Sequence, residues 1–232
     1  MEQYAFSKEL SERIVRGILK GYKSYIDERN EKKQEFLISS AYAWVIGNHI
    51  DHYVAVETKD LGIRHQHSKA GYSWGYLQFL DVRNKTLFLI KNADGIAKNK
   101  ESTRGRRPDG YIEMMAKRIN GNIDFSESLV VHEQMNLFPM YEQTELDLEP
   151  LEGEIQQLEE KVEQFYIVTY NINEQKMISN ISLCLPHPET YELHVVDDWT
   201  KYIDTVGVKI SEKDLARLAD DQEPDNQVSF DV

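Results

Sequence analysis

Four of the seven histidines in this 232-residue chain lie close together in the sequence, and imidazole nitrogen is a common ligand of zinc and manganese. His49 and His52 share one face if their segment is a helix, and His65 and His67 share one face if theirs is a strand. The two pairs are therefore candidate ligands for one Zn²⁺ or Mn²⁺ ion, as in a metal-dependent nuclease. No HExxH or HNH-type sequence surrounds them. Histidines that are exposed or that cap a helix explain the same pattern. We therefore expect a protein without a cofactor.

A second nuclease pattern combines Asp51 with Glu57 and Lys59. It is superficially similar to the PD-(D/E)xK core, in which two carboxylates hold a divalent metal and a lysine supports the attacking water. The carboxylates of that core come from different strands, and the short chain between Asp51 and Glu57 leaves no room for a turn. Charges near the end of a helix explain these three residues better.

The strongest charge pattern is a basic segment, residues 83–118. It contains ten basic and four acidic residues, a net charge of +6, in a chain whose net charge is -13. Its centre, residues 103–108, is similar to the Arg-Gly-Arg-Pro core of an AT-hook, whose arginines enter a narrow minor groove, although an extra arginine here precedes the proline. We expect phosphate contacts through Lys98, Lys100, Arg104, Arg106 and Arg107, with Lys91, Lys117 and Arg118 at the rim. The alternative is a flexible basic loop that pairs with the acidic surface of this protein.

Aromatic residues near the basic segment are candidates for stacking on single-stranded bases. They are Tyr72, Trp74, Tyr76, Phe79 and Tyr111. Alternation along a strand does not separate a binding face from a buried face, because both show a period of two.

An acidic segment, residues 142–163, carries nine carboxylates and one lysine. A solvated helix face is its ordinary explanation. The other explanation is a surface that binds a basic protein partner, which makes the protein an adaptor or an inhibitor of a nucleic-acid enzyme. The apolar residues at 135–140 are then a candidate anchor for that partner.

The composition excludes several other classes of protein. A pI of about 5.0 opposes non-specific attraction of the whole molecule to nucleic acid or anionic lipid. Cys184 is the only cysteine, which excludes an intramolecular disulfide and a cysteine-rich zinc site. The chain begins without the pattern of a secretory signal and contains no apolar run long enough to span a bilayer. We therefore expect a cytoplasmic protein that makes no membrane contact.

The spacing of apolar residues predicts the elements that position these side chains. It indicates a helix over residues 7–28 with Ser7 as its N-cap, and a second helix over residues 32–61 that ends at a left-handed Gly62. Alternation and turn residues predict strands, and a short helix between them. The strands are residues 63–67, 74–80, 86–91, 165–171, 177–185 and 191–196; the short helix is residues 111–119, and an acidic helix is expected over residues 146–162.

These elements indicate the α+β class: N-terminal helices packed on an antiparallel sheet, with a second antiparallel meander near the C-terminus. We expect one composite domain, residues 1–219, with possible halves at 1–121 and 146–219. An acidic tail, residues 220–232, follows it.

Five segments along most of the chain are distinctive: AYAWVIGNHIDHYV, SKAGYSWGYLQF, LFLIKN, GRRPDGYIEMM and SLCLP. Together they resemble an uncharacterised family of proteins from Gram-positive bacteria and their prophages. The resemblance implies a mobile-element or host-defence setting and a helix over residues 41–61, but it supplies no activity and no functional residue.

The basic segment leads to the first hypothesis, a non-enzymatic protein that associates with DNA or RNA. The acidic adaptor or inhibitor is the alternative, and a metal-dependent nuclease at the histidine group is the second alternative.

Overall fold

The computed structural model describes residues 4–70, 74–93, 110–125, 135–136, 162–211 and 214–215. Short 3₁₀ helices lie at Ser40–Val45, Lys59–Leu61, Asn120–Asn122 and Thr200–Tyr202. The α-helices are α1 (Lys8–Glu35), α2 (Ile46–Thr58) and α3 (Tyr111–Ile119). The strands are β1 (Arg64–Ala70), β2 (Trp74–Asp81), β3 (Thr86–Asn92), β4 (Met135–Asn136), β5 (Gln164–Ile172), β6 (Ile178–Pro186) and β7 (Glu192–Asp198).

Helix α1 begins where the sequence predicts. The hydroxyl of Ser7 accepts a hydrogen bond from the backbone N–H of Leu10, at 3.3 Å, which satisfies one of the free amides of the first turn. The prediction of a second helix from residue 32 is wrong, because α1 continues to Glu35 and the chain is extended at Phe36. The apolar spacing across this break is misleading, since Phe36 and Leu37 are 51% and 107% exposed.

Helices α1 and α2 pack with their backbones in close contact. A Cβ atom at Gly21 would lie 2.5 Å from the Cα of Ile50, and one at Gly17 would lie 2.6 Å from the Cα of Val54. Only glycine permits this approach. The predicted end of the second helical stretch is confirmed, since Gly62 has φ +80° and its N–H donates to the carbonyl of Lys59.

The strands form one sheet in the order β1-β2-β3-β5-β6-β7-β4. The α+β class and the C-terminal meander, β5 to β7, are confirmed. The sequence predicts two antiparallel groups, whereas the structure joins them through a parallel pairing of β3 with β5, from Thr86 opposite Gln164 to Asn92 opposite Tyr170. The helical connection between these two strands includes α3, as a parallel pair requires.

Helices cover both faces of the sheet. Phe88 and Ile90 belong to the core beneath α1 and α2, while Leu87 and Leu89 belong to the core beneath α3. Strand β3 is therefore apolar on both faces, which explains its nearly continuous apolar sequence.

Asn120 fixes the end of α3 to the sheet. Its side-chain carbonyl accepts a hydrogen bond from the N–H of Phe165 at 2.8 Å, and its amide donates to the carbonyls of Phe165 and Pro186 at 2.9 and 3.0 Å. A buried amide that is satisfied in this way holds α3 in one position against β5 and β6.

Several sequence predictions lie outside the described residues. They are the acidic helix at 146–162 apart from Val162, the apolar residues at 135–140 apart from the backbone of Met135 and Asn136, the tail at 220–232, and the centre of the basic segment, residues 94–109.

The close contact of α1 with α2 predicts opposite effects for two Gly→Ala substitutions. Gly21→Ala gains at most about 1 kcal/mol of helix propensity but forces two backbones apart, so we expect a net loss of about 1–3 kcal/mol in the free energy of unfolding. Gly47→Ala has no atom within 4 Å of its new Cβ and is expected to stabilise the protein by up to about 1 kcal/mol. Urea unfolding measures both, and equal stabilities would contradict the contact.

Candidate functional site

Strands β2 and β3 separate partway along their length. They pair only at Phe79–Phe88, Leu80–Leu87 and Asp81–Thr86, although β2 stays paired with β1 back to Trp74 and β3 stays paired with β5 up to Asn92. A gap therefore opens between residues 74–78 of β2 and residues 89–92 of β3. We call this gap the β2–β3 seam.

Asp51 of α2 reaches into the seam. Its Oδ2 accepts a hydrogen bond of 2.9 Å from the backbone N–H of Leu77, an amide that has no β3 partner at this position. Burial raises the pKa of Asp51 to about 6, while the charge of Lys91 and the hydrogen bond from Leu77 oppose the rise. A carboxyl with such a pKa changes its protonation state near neutral pH.

Lys91 lies on the other side of the seam, near the end of β3. It continues the alternation of Leu87 and Leu89, so its side chain is directed toward the α3 side of the sheet. Its Nζ lies 4.8 Å from the ring centroid of Tyr76 and 5.6 Å from that of Tyr111. Burial lowers the pKa of Lys91, and the negative charge of Asp51 opposes this effect.

The two tyrosine rings stack on each other, with centroids 4.8 Å apart. The hydroxyl of Tyr76 accepts a hydrogen bond from Gln78 at 3.3 Å and is also hydrogen-bonded to Ser68. Gln78 in turn accepts a hydrogen bond from Gln66. This network of β1 and β2 side chains holds the Tyr76 ring in place beneath Lys91.

Tyr111 is the first residue of α3 and follows Gly110, the N-cap. The carboxylate of Glu113 folds back onto that glycine, where a Cβ would lie only 2.5 Å from Oε2. A glutamate at this position of a helix ordinarily caps the first turn. The start of α3, and with it the Tyr111 ring, is thereby fixed over the seam.

The residues of the site differ in their exposure. Asp51, Lys91 and Tyr111 are partly exposed, whereas Ser68, Tyr76 and Gln78 behind them are buried. The arrangement places a cation, a carboxyl and a phenol at the surface of a low-dielectric site, where electrostatic interactions are stronger than in water.

A model of a family of unknown function, DUF5986, matches residues 4–230. The chain belongs to this family. The prediction of an uncharacterised family is thus confirmed, and the family description assigns no activity. No curated protein matches the chain, and no solved structure does. Within the described part of this DUF5986 protein, no helix combines the length and the apolar character needed to cross a membrane.

The four histidines do not share one site. His49 is bonded on one side to Ser24, at 3.1 Å, and on the other to Glu28, at 3.0 Å. His52 packs its ring against Tyr53, and His65 and His67 are exposed on β1. In the parts of the chain described here, no three His, Cys, Asp or Glu side chains form a group suited to a metal ion.

The Asp51, Glu57 and Lys59 pattern also does not form one site. Glu57 pairs with Lys20 of α1 at 2.6 Å, Lys59 is exposed in the following 3₁₀ helix, and Asp51 binds β2. Asp51 and Glu57 both lie in α2. They therefore do not come from two different strands, as the carboxylates of a PD-(D/E)xK core do. The lysine whose charge acts on Asp51 is Lys91, from a different element.

Of the predicted phosphate contacts, the structure describes three, and Lys91 is the one at the seam. Lys117 and Arg118 are exposed in the last turn of α3. Lys98, Lys100, Arg104, Arg106 and Arg107 lie outside the described residues.

Each residue of the seam is conspicuous in the sequence only by itself. Lys91 occupies a position where alternation predicts an apolar residue, and Gln78 does the same on β2. A polar residue in the buried register of a strand is the signal that identifies such a site. Their meeting with Asp51 and Tyr111 depends on four separate elements, which no spacing rule connects.

The raised pKa of Asp51 predicts a pH-dependent stability. Its pKa is shifted from an ordinary 3.8 to about 6, so the folded state binds this proton more tightly than the unfolded state does. The bound proton adds at most about 3 kcal/mol to the free energy of unfolding. This contribution is fully present below about pH 4 and is lost as the pH rises through about 6. Asp51→Asn removes it.

Urea unfolding of the wild type and Asp51→Asn across this pH range measures the effect. We expect the stability of the wild type relative to the variant to fall as the pH rises from about 4 to about 7. A constant difference would show that Asp51 is not desolvated.

Proposed function

We propose that this protein associates with nucleic acid and contacts phosphates through the basic segment, residues 83–118. One observation carries the proposal: Lys91 and Tyr111, the described residues that flank the centre of this segment, meet at the β2–β3 seam, with Nζ 5.6 Å from the ring centroid. The two described parts of the basic segment, residues 83–93 and 110–118, therefore come together at the seam.

The charge of residues 93–110 supports a polyanionic ligand. Its basic residues are Lys98, Lys100, Arg104, Arg106 and Arg107, against three acidic residues. Lys117 and Arg118 add positive charge about 10 Å farther along α3. Because the whole chain carries -13, we expect any attraction to nucleic acid to be local to this part of the surface.

The biological setting is part of the proposal. The sequence resemblance to proteins of Gram-positive bacteria and their prophages supports a role in a mobile element or in host defence. The single cysteine supports a cytoplasmic location, because structural disulfides are rare there.

A second candidate function is an adaptor or inhibitor that binds a basic protein. The observation that favours it is a set of exposed apolar residues in the chain segment that connects α1 to α2. Phe36, Leu37, Ile38 and Trp44 are 51%, 107%, 83% and 51% exposed. Contiguous exposed apolar residues are typical of protein interfaces. The net charge of -13 favours a basic partner.

A salt titration tests the first proposal. We expect the wild type to bind labelled DNA or RNA at low salt, and the Arg104→Ala, Arg106→Ala, Arg107→Ala variant to bind weakly. For duplex DNA, each lost phosphate contact lowers the slope of log affinity against log salt by about 0.9. The matched control replaces Lys23, Lys59 and Lys209, three exposed lysines outside the segment, with alanine.

The control variant carries the same change in net charge, so a general charge effect weakens both variants equally. Selective loss in the arginine variant supports the proposal. Absence of binding by the wild type to both single-stranded and duplex DNA and RNA overturns it in favour of a protein partner. Cleavage of the nucleic acid in a parallel reaction with Mg²⁺ would support the nuclease alternative instead.

A further inference from the structure

We propose that Ser24, His49 and Glu28 form a Ser–His–Glu triad, in which Ser24 is the nucleophile of an acyl-transfer reaction on a carboxylic ester. The three side chains lie where α1 contacts α2, and they belong neither to the β2–β3 seam nor to the basic segment. The inference therefore does not depend on nucleic acid binding, and it adds an enzymatic activity to the proposed function.

The close approach of α1 to α2 brings the three side chains together. A Cβ atom at Gly21 would lie 2.7 Å from the backbone carbonyl oxygen of His49, so the two backbones are in van der Waals contact at this point. Ser24 and Glu28 follow Gly21 by three and seven residues and therefore lie on the same face of α1. His49, near the start of α2, lies within reach of both.

His49 contacts both side chains of α1 at hydrogen-bond distance. Its Nδ1 lies 3.1 Å from Ser24 Oγ, and its Nε2 lies 3.0 Å from Glu28 Oε2. The ring of Tyr25 packs against the imidazole with centroids 6.1 Å apart and an interplanar angle of 68°, which limits rotation of the imidazole. The two distances match the reach that a nucleophile, its base and the group that orients the base require.

The chemistry of the two partners decides the direction of each hydrogen bond. A carboxylate only accepts, so Nε2 of His49 carries the proton that is donated to Glu28. In the neutral imidazole, Nδ1 is then the acceptor, and the Ser24 hydroxyl donates to it. A serine inside a helix often bonds the carbonyl four residues earlier, whereas Ser24 bonds a base on another helix. This is the proton arrangement that a serine nucleophile needs.

The reaction has two balanced steps. Ser24 Oγ attacks the carbonyl carbon of the ester while its proton passes to His49 Nδ1; the bond to the leaving oxygen then breaks, and the same proton leaves with the alcohol. Water next attacks the acyl–Ser24 ester and gives a proton to His49, the bond from the acyl carbon to Ser24 Oγ breaks, and that proton returns to Ser24 as the carboxylic acid departs. Glu28 stabilises the imidazolium that forms in each step.

The surroundings of the triad favour a neutral ester with an apolar acyl group. Ser24 and Glu28 are partly exposed, so a substrate reaches the nucleophile from solvent. The stretch immediately before His49, residues 36–48, contains no charged side chain, and an apolar acyl group fits such a surface better than a charged one does. Its most exposed large apolar side chains are Phe36, Leu37, Ile38 and Trp44.

A fluorophosphonate probe tests the nucleophile directly. The serine oxygen binds phosphorus as the P–F bond breaks, and mass spectrometry of the digested full-length protein locates the label. We expect the label on Ser24 in the wild type, no label at this position in Ser24→Ala, and labelling about 10²–10⁴ times slower in His49→Gln, the usual contribution of a general base. Ser211→Ala is the matched control, because the Ser211 hydroxyl donates to a carboxylate, Asp214, rather than to an imidazole; its labelling should equal that of the wild type.

Hydrolysis of p-nitrophenyl butyrate separates catalysis from a structural role. Ser24→Ala is expected to lower kcat by about 10²–10⁴. Glu28 is a positioning residue, and Glu28→Gln is expected to lower kcat about tenfold or more with KM unchanged, because the amide no longer fixes the proton on Nε2. His52→Gln, an exposed histidine of the same helix, should keep the wild-type rate. The acetate ester should show a lower kcat/KM than the butyrate ester, and equal values would contradict the apolar acyl group.

Thermal unfolding of every variant checks that the fold is retained. Ser24→Ala keeps the test decisive if a His49 variant unfolds, since alanine is favourable within a helix. A label on Ser24 that depends on His49 supports the triad. An unlabelled Ser24 in the wild type, or equal labelling of the wild type and His49→Gln, would overturn it and leave the hydrogen bonds as a structural link between α1 and α2. Neither result changes the salt titration of nucleic acid binding, so the two proposals fail separately.

Discussion

The parallel pairing of β3 with β5 is the constraint on which the rest of the structure depends. It joins the three N-terminal strands and the C-terminal meander into one sheet. Two parallel neighbouring strands need a long connection that runs from the end of the first strand back to the edge of the sheet where that strand began. Here that connection contains α3 and the most basic part of the chain. The pairing buries β3 on both faces and places its carboxyl end, with Lys91, where the connection begins.

At the seam, the pairing of β2 with β3 stops while both strands continue. Residues 74–78 of β2 are not paired with β3. The backbone N–H of Leu77 instead donates a hydrogen bond to Asp51 of α2. The substitution of a carboxylate for a strand carbonyl brings a desolvated acid beside Lys91, which lowers stability at neutral pH. Polar groups retained at such a cost are concentrated at functional sites, and the partial exposure of Asp51 and Lys91 agrees with that interpretation.

The charge distribution limits where a polyanion is able to bind. The chain as a whole is acidic, so a nucleic acid strand is repelled by most of its surface, and the basic segment must outweigh that repulsion locally. In the proposed function, the basic segment supplies this local attraction.

The sequence by itself determined the elements whose pattern is local. Ser7 began α1, Gly62 ended the second helical stretch, and residues 111–119 formed α3, because caps and apolar periodicity are properties of neighbouring residues. It also singled out Asp51, Lys91, Tyr76 and Tyr111, but in three separate contexts: a nuclease pattern, a basic segment and a set of aromatic residues. Only the tertiary structure decided that β3 pairs with β5, that α1 ends at Glu35, and that these four side chains meet. Contacts between distant segments depend on how whole faces are buried together, and no spacing along the chain encodes that choice.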